Sequence, residues 1–165
     1  MLDLKIVNEQ PKTSMFWIAL LRIMLGVLFI TQWYDNLVGG LYTPEGLEGL
    51  FNYFFNASDN PLDFYMAFVN EVILPIAPFF TKFQLVTELL IGIALLVGFL
   101  TPLTSLFAAF FILNTFLASW GADWPWSYLT ILTILGVLFF TRAGRSLGLD
   151  AILARRFGDF KLPVW

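Results

Sequence analysis

The 165-residue sequence contains no cysteine and no histidine. A chain without them cannot form disulfides, ligate an iron–sulfur cluster or a His-bound haem, build a zinc finger, or run a Ser–His or Cys–His nucleophile. Any redox or group-transfer chemistry must therefore use a bound diffusible molecule or a partner subunit. Charge is scarce as well. Charged residues make up 13% of the chain and hydrophobic ones 59%, where ordinary soluble domains run near ~25% and ~45–50%. With 19 Phe and a mean hydropathy of +0.79, there is too little polar surface to cover a soluble fold. The expectation is an integral membrane protein of the cell membrane, formed as a single domain over residues 1–165. The net charge is −3, and no nucleic-acid partner is expected.

Crossing ~30 Å of hydrocarbon takes about 20 apolar residues in a helix. Four stretches qualify: about 15–34, interrupted by Arg22; 83–100, with Glu88 inside it; 102–119; and the shorter 127–141. Thr101-Pro102 suits a tight hairpin, because Pro tolerates the first turn of a helix and discourages helix in the residue before it. The predicted fold is an all-α, four-helix transmembrane bundle. Its parts are an outer loop, 35–82, carrying short interfacial helices, and a cytoplasmic tail, 142–165, containing an amphipathic helix. Residues 62–80 are apolar enough to be weighed as a fifth span, but Pro75 and Pro78 are expected to break them. Lys5 and Lys12 precede the first span and Arg142, Arg145, Arg155, Arg156 and Lys161 follow the last, whereas residues 35–80 hold six acids and no Lys or Arg. An even number of spans puts both basic termini in the cytoplasm.

Within the outer loop, Thr43-Pro44-Glu45 reads as an N-cap, a Pro at the first helical position and an acid in the first turn, opening a short helix over about 45–55. Asn60-Pro61 opens another over about 62–74. Trp33, Tyr34, Trp120, Trp124 and Trp126 fall at one outer level, as an aromatic belt does. In the tail, Leu149, Ile152, Leu153 and Phe157 recur at helical spacing opposite Asp150, Arg155 and Arg156. The first span has no small-residue cleavage site after it and is expected to remain as a helix.

Ionisable groups inside a span are costly and face the bundle interior, a partner or water. Helical rise of ~1.5 Å per residue puts Glu88, Asn114 and Thr133 in one layer of the outer half, with Gln84 and Thr87 close above and Gln32 and Asp35 reaching toward it. One reading of this layer is a polar pocket for the head group of a lipophilic carrier. A quinone needs hydrogen-bond partners at its carbonyls and a proton route, with Glu88 as the proton donor and Gln32, Gln84, Asn114 and Thr133 around the head group. The other reading is structural: Arg22 and Glu88 pair across ~10 Å of depth, or a protonated Glu88 bonds Asn114. Arg22 is assigned the structural role. Gly26, Gly92, Ala94, Gly98 and Gly136 are expected at close helix contacts.

The first span, Leu21-Arg22-Ile23-Met24-Leu25-Gly26-Val27-Leu28-Phe29, resembles the Arg-x-x-x-Gly-x-x-Phe signature that opens DoxX/DoxD membrane proteins. Glu88 to Gly98, followed by Leu100-Thr101-Pro102, is similar to that family's Glu-x-x-x-Gly-x-x-Leu-x-x-Gly hairpin. Ala143 to Asp150 is similar to its closing Gly-Arg-x-x-x-x-Asp segment. The long outer loop with Thr43-Pro44-Glu45-Gly46 resembles the DoxD branch, whose members are associated with thiosulfate:quinone oxidoreductase. The resemblance implies a four-helix membrane subunit of a quinone-linked oxidoreductase complex, with quinone as cofactor and with lipid and other subunits as partners. Many relatives carry Gly-x-x-Lys at the outer end of the first span. Here Gln32-Trp33-Tyr34-Asp35 stands in its place, which argues against an anionic substrate at that point. The alternative is a non-catalytic accessory or assembly subunit of a larger respiratory or photosynthetic complex. A transporter is disfavoured by the lack of any span pair broken by Gly or Pro.

Overall fold

The computed structural model describes residues 14–158, and all regular structure among them is helical. Lys5, Lys12 and Lys161, three of the charges used to orient the chain, lie outside the described residues. The order is α1 (Met15–Val38), α2 (Pro44–Ala57), α3 (Asp63–Phe68), a π turn (Val69–Ile73), a 3-10 turn (Leu74–Ile76), α4 (Ala77–Val97), α5 (Thr101–Ala118), α6 (Pro125–Thr141), a 3-10 turn (Ala143–Arg145) and α7 (Asp150–Phe157). Three helical stretches are long and apolar enough to cross a membrane: Met15–Val38, Asp63–Val97 and Thr101–Ala118. Pro125–Thr141 is a shorter apolar helix.

The stretch expected to break at its prolines runs on instead. From Asp63 the helix continues through the π and 3-10 turns into α4. A proline in a helix removes an N–H and its ring collides with the carbonyl four residues back. Here the backbone changes pitch at that point: Pro75 sits in the 3-10 turn and Pro78 in the first turn of α4, where the missing N–H has no role to lose. The result is an irregular turn rather than a break.

α1 packs along α4, and α5 packs against α6. The first seam is tight because of glycine. A Cβ on Gly26 would lie 2.6 Å from the Leu96 backbone nitrogen, and one on Gly92 would lie 2.8 Å from the Ile30 side chain. Gly136, expected at a similar contact, has nothing within 4 Å of its Cβ position. Leu25, Phe29, Ile91, Leu95, Ile112, Leu135 and Leu138 from α1, α4, α5 and α6 form one apolar core. A second core, with Leu47, Phe51, Phe54, Tyr65, Val69 and Ala118, joins α2 and α3 to the far end of α5.

At the other end, the polypeptide after α6 folds back onto the α4–α5 turn. The N–H groups of Leu149 and Asp150 donate to the carbonyls of Val97 (3.1 Å) and Gly98 (2.9 Å). The Asp150 carboxylate then accepts from the first N–H groups of α5, Leu100 at 2.6 Å and Thr101 at 2.8 Å. Asp150 thus caps a helix with which it is not contiguous in sequence. Expected on a solvated face of the tail helix, it is fully buried, while Leu149, Ile152 and Phe157 are exposed. Arg22 is also fully buried. Its Nη2 donates to the carbonyl of Leu147 at 2.8 Å, and Asp150 supplies the opposing charge. The Arg22 guanidinium fills the space that a side chain at Gly98 would occupy.

Candidate functional site

The second buried charge lies near the opposite end. Glu88, on α4, is 1% exposed. It is not the partner of Arg22. Arg22 touches Gly98, and Glu88 stands about 15 Å further along α4 by helical rise, beyond the reach of both side chains. Nor does Glu88 bond Asn114. The Tyr42 hydroxyl donates to Glu88 Oε2 at 2.6 Å, and Asn36 Nδ2 donates to both carboxylate oxygens at 3.3 and 3.4 Å. Gln32 Nε2 donates in turn to Asn36 Oδ1 at 3.0 Å.

Local geometry explains these partners. α1 continues one turn past Tyr34 to Val38, which puts Asn36 on the face of Gln32 four residues earlier. Gly39 and Gly40 then reverse the chain, with Gly40 at φ +77° and the Leu41 N–H donating to the Asn36 carbonyl at 2.9 Å. Thr43 caps α2 through its Oγ1 to the Gly46 N–H at 3.1 Å, ahead of Pro44. This compact link carries Tyr42 back over Glu88. Burial, and then the hydrogen bond to Glu88, hold the Tyr42 phenol above its ordinary pKa. It therefore remains a donor across the physiological range.

Glu88 opens onto a cavity of about 570 Å³ roofed by α2 and walled by α1, α4, α5 and α6. Its polar lining comprises Gln32, Asp35, Asn36, Gln84, Thr115, Ser127 and Tyr128, and its apolar lining includes Phe29, Phe54 and Phe111. Among the described residues, no Lys or Arg lines it. A neutral or cationic guest suits such walls, and an anion does not. The buried Gln84 Oε1 accepts no hydrogen bond from the described residues, so it offers a guest hydroxyl an acceptor.

Of the residues singled out from sequence, Gln32, Gln84 and Glu88 share this cavity. Asn114 does not line it. Asn114 faces a neighbouring cavity of about 330 Å³, where its Oδ1 accepts from the Tyr65 hydroxyl at 3.3 Å and its Nδ2 donates to the Phe110 carbonyl at 2.7 Å. Thr133 lines neither cavity, and its hydroxyl is satisfied by the Leu129 carbonyl at 2.8 Å. Residue counts along a span carry no direction around the helix. Asn36 and Tyr42 were missed. The signals that point to them are the Gln32/Asn36 spacing and the Gly39-Gly40 reversal directly before Tyr42.

Residues 17–120 match the model of the DoxX family. That segment contains Arg22, Glu88 and the whole α4–α5 hairpin, while the Gly144–Asp150 segment follows it. No curated protein and no solved structure matches the chain at a significant level.

Proposed function

The chain belongs to the DoxX family, and from that membership and the Glu88 cavity we propose that it is a quinone-interacting subunit of a membrane oxidoreductase complex, of the DoxD type. In this reading α1, the α3–α4 stretch, α5 and α6 form a four-helix transmembrane bundle. Both basic termini are cytoplasmic, and α2 and the cavity lie in the outer half. The single observation carrying the proposal is Glu88: a carboxyl group 1% exposed, bonded only by neutral donors and bordering a cavity large enough for a ring-sized guest. Burying such a group without a counter-charge is expensive, and a proton-handling role gives it a use.

Reduction of a quinone to the quinol takes two electrons and two protons. With no cysteine or histidine, the electrons come from a partner subunit. Glu88 would deliver one proton to a quinone oxygen and take up another from the outer aqueous phase through the cavity, which would also supply the proton for the second oxygen, with Tyr42 and Asn36 holding the carboxyl in place. Gln32 and Gln84 bond the carbonyl and hydroxyl groups of the head. The acidic lining, Asp35 and Glu88, supports a neutral carrier rather than a sulfur oxyanion, so any thiosulfate site belongs to a partner.

Purified protein should retain quinone, and Glu88→Gln should abolish quinone reduction by the assembled complex while its helical content and melting survive. Unchanged turnover in that variant removes Glu88 from the mechanism. A purified wild-type chain that never carries quinone, yet is required for assembly, favours the accessory role instead.

A further inference from the structure

The 330 Å³ cavity has a composition unlike that of its neighbour. Apart from Asn114, Gln84, Thr87, Thr115 and the hydroxyl of Tyr65, its lining is apolar, and phenylalanine dominates it. Leu50, Phe54, Gln84, Phe111 and Thr115 line both cavities, which therefore adjoin across these side chains. Four phenylalanines of the lining are exposed: Phe83 of α4 (56%), Phe107 and Phe110 of α5 (56% and 68%) and Phe68 of α3 (41%). The exposed part of the lining therefore lies mostly on α4 and α5, whereas Leu47, Phe51 and Phe54 of α2 are buried. The π turn helps to build this wall. Phe68 and Ile73 both line the cavity, five residues apart. In a regular α-helix that spacing rotates the second side chain away, whereas one π turn brings it back to the same face.

We infer that this phenylalanine-lined cavity holds the apolar chain of the carrier whose head sits at Glu88, and that the carrier enters laterally from the bilayer between α4 and α5. The inference rests on the head-group assignment and adds the ligand class: an amphiphile with a neutral, hydrogen-bonding head and an unsaturated, prenyl-type chain, whose flat double bonds pack on aromatic faces. Chain selection arises from packing and not from escape from water, because lipid tails are as apolar as the cavity walls. Thr87 lines this cavity and not the first, so enlarging its side chain fills the chain site and leaves the head site untouched.

Binding of a short-chain prenyl benzoquinone and of its chainless parent to the full-length chain in lipid nanodiscs tests this, with each affinity corrected for partitioning into the lipid. Wild type should prefer the prenylated ligand by about tenfold. Thr87→Phe should erase that preference while binding the parent normally, and Thr87→Val should keep it. Should Thr87→Phe fail to fold, Phe107→Trp narrows the mouth and should slow association of the prenylated ligand alone. A Thr87→Phe chain that folds and keeps the preference overturns the chain site and leaves the head site standing. Wild type that binds neither ligand overturns both. A co-purifying phospholipid that the prenyl quinone does not displace marks the cavity as a lipid site and also overturns the inference.

Discussion

Replacing Asp150 should loosen the end of the protein opposite the Glu88 cavity, and the size of the effect can be worked from its contacts. The carboxylate accepts two backbone N–H groups at the start of α5, at 2.6 and 2.8 Å, and it opposes the charge of Arg22. Both side chains are fully buried. Hydrogen bonds to a charged group contribute ~1.5–3 kcal/mol each, and removing one partner of a buried charge pair costs ~3–5 kcal/mol. These overlap, since the same carboxylate serves both, so Asp150→Ala should cost about 4 kcal/mol. Asp150→Asn keeps one acceptor and should cost about half as much. Arg22→Met combined with Asp150→Asn leaves no uncompensated charge, and should be less harmful than the two single losses added together by ~1–3 kcal/mol. Reversible unfolding in mixed detergent micelles, followed by tryptophan fluorescence, reads the wild type and all four variants, Arg22→Met alone included. Additivity in the cycle, or a cost below ~1 kcal/mol for Asp150→Ala, would refute the coupling of cap and charge.

Gly26→Val should destabilise by about 1–3 kcal/mol, because its Cβ meets the Leu96 backbone at 2.6 Å. Gly136→Ala, with open space around it, should cost nothing; paired melting curves check the contrast. Tyr42→Phe should cost about 1 kcal/mol through the lost hydrogen bond to Glu88 and should weaken quinone retention without changing the fold. The same variant has a pH signature. The folded chain holds the Tyr42 phenol above its unfolded value of about 10, so its contribution is complete below that pH and is lost as pH rises toward the folded value. Tyr42→Phe should therefore flatten the alkaline limb of stability against pH, and an unchanged limb would exclude this coupling.

Much of the architecture is legible in residue order alone. Length and apolarity define the helices, Thr43-Pro44 starts α2 as its cap chemistry requires, and Thr101-Pro102 opens α5 directly after the Gly98 reversal. What is not legible is anything set by tertiary direction. Pro75 and Pro78 read locally as breakers, yet a π turn and a 3-10 turn absorb them because the surrounding apolar faces keep the helix in place. Asp150 reads as a surface acid of an amphipathic tail, since its partners, the N–H groups of Leu100 and Thr101, are remote in sequence. Asn114 and Thr133, expected in one layer with Glu88, lie on faces that do not meet it. A residue count along an axis carries no azimuth.

The two buried charges illustrate why the family pattern separates into two kinds of information. Arg22, Gly98, Gly144, Gly148 and Asp150 converge at one end, where each glycine leaves room that Arg22, Asp150 or the neighbouring backbone fills. Charge, cap and glycine depend on one another there, so that cluster is accounted for by holding α1, the α4–α5 turn and the segment after α6 together. Glu88 is different. Its partners Asn36 and Tyr42 come from a link unrelated to the other motifs, they are neutral, and they leave the carboxyl bordering a cavity. A structural acid would be cheaper as Gln, which could keep a hydrogen bond from Tyr42 without an ionisable group in an apolar layer. Glu88→Gln thus separates the two roles at a single position. Lost stability with retained quinone turnover assigns the carboxyl to the fold, and retained stability with lost turnover assigns it to the proton.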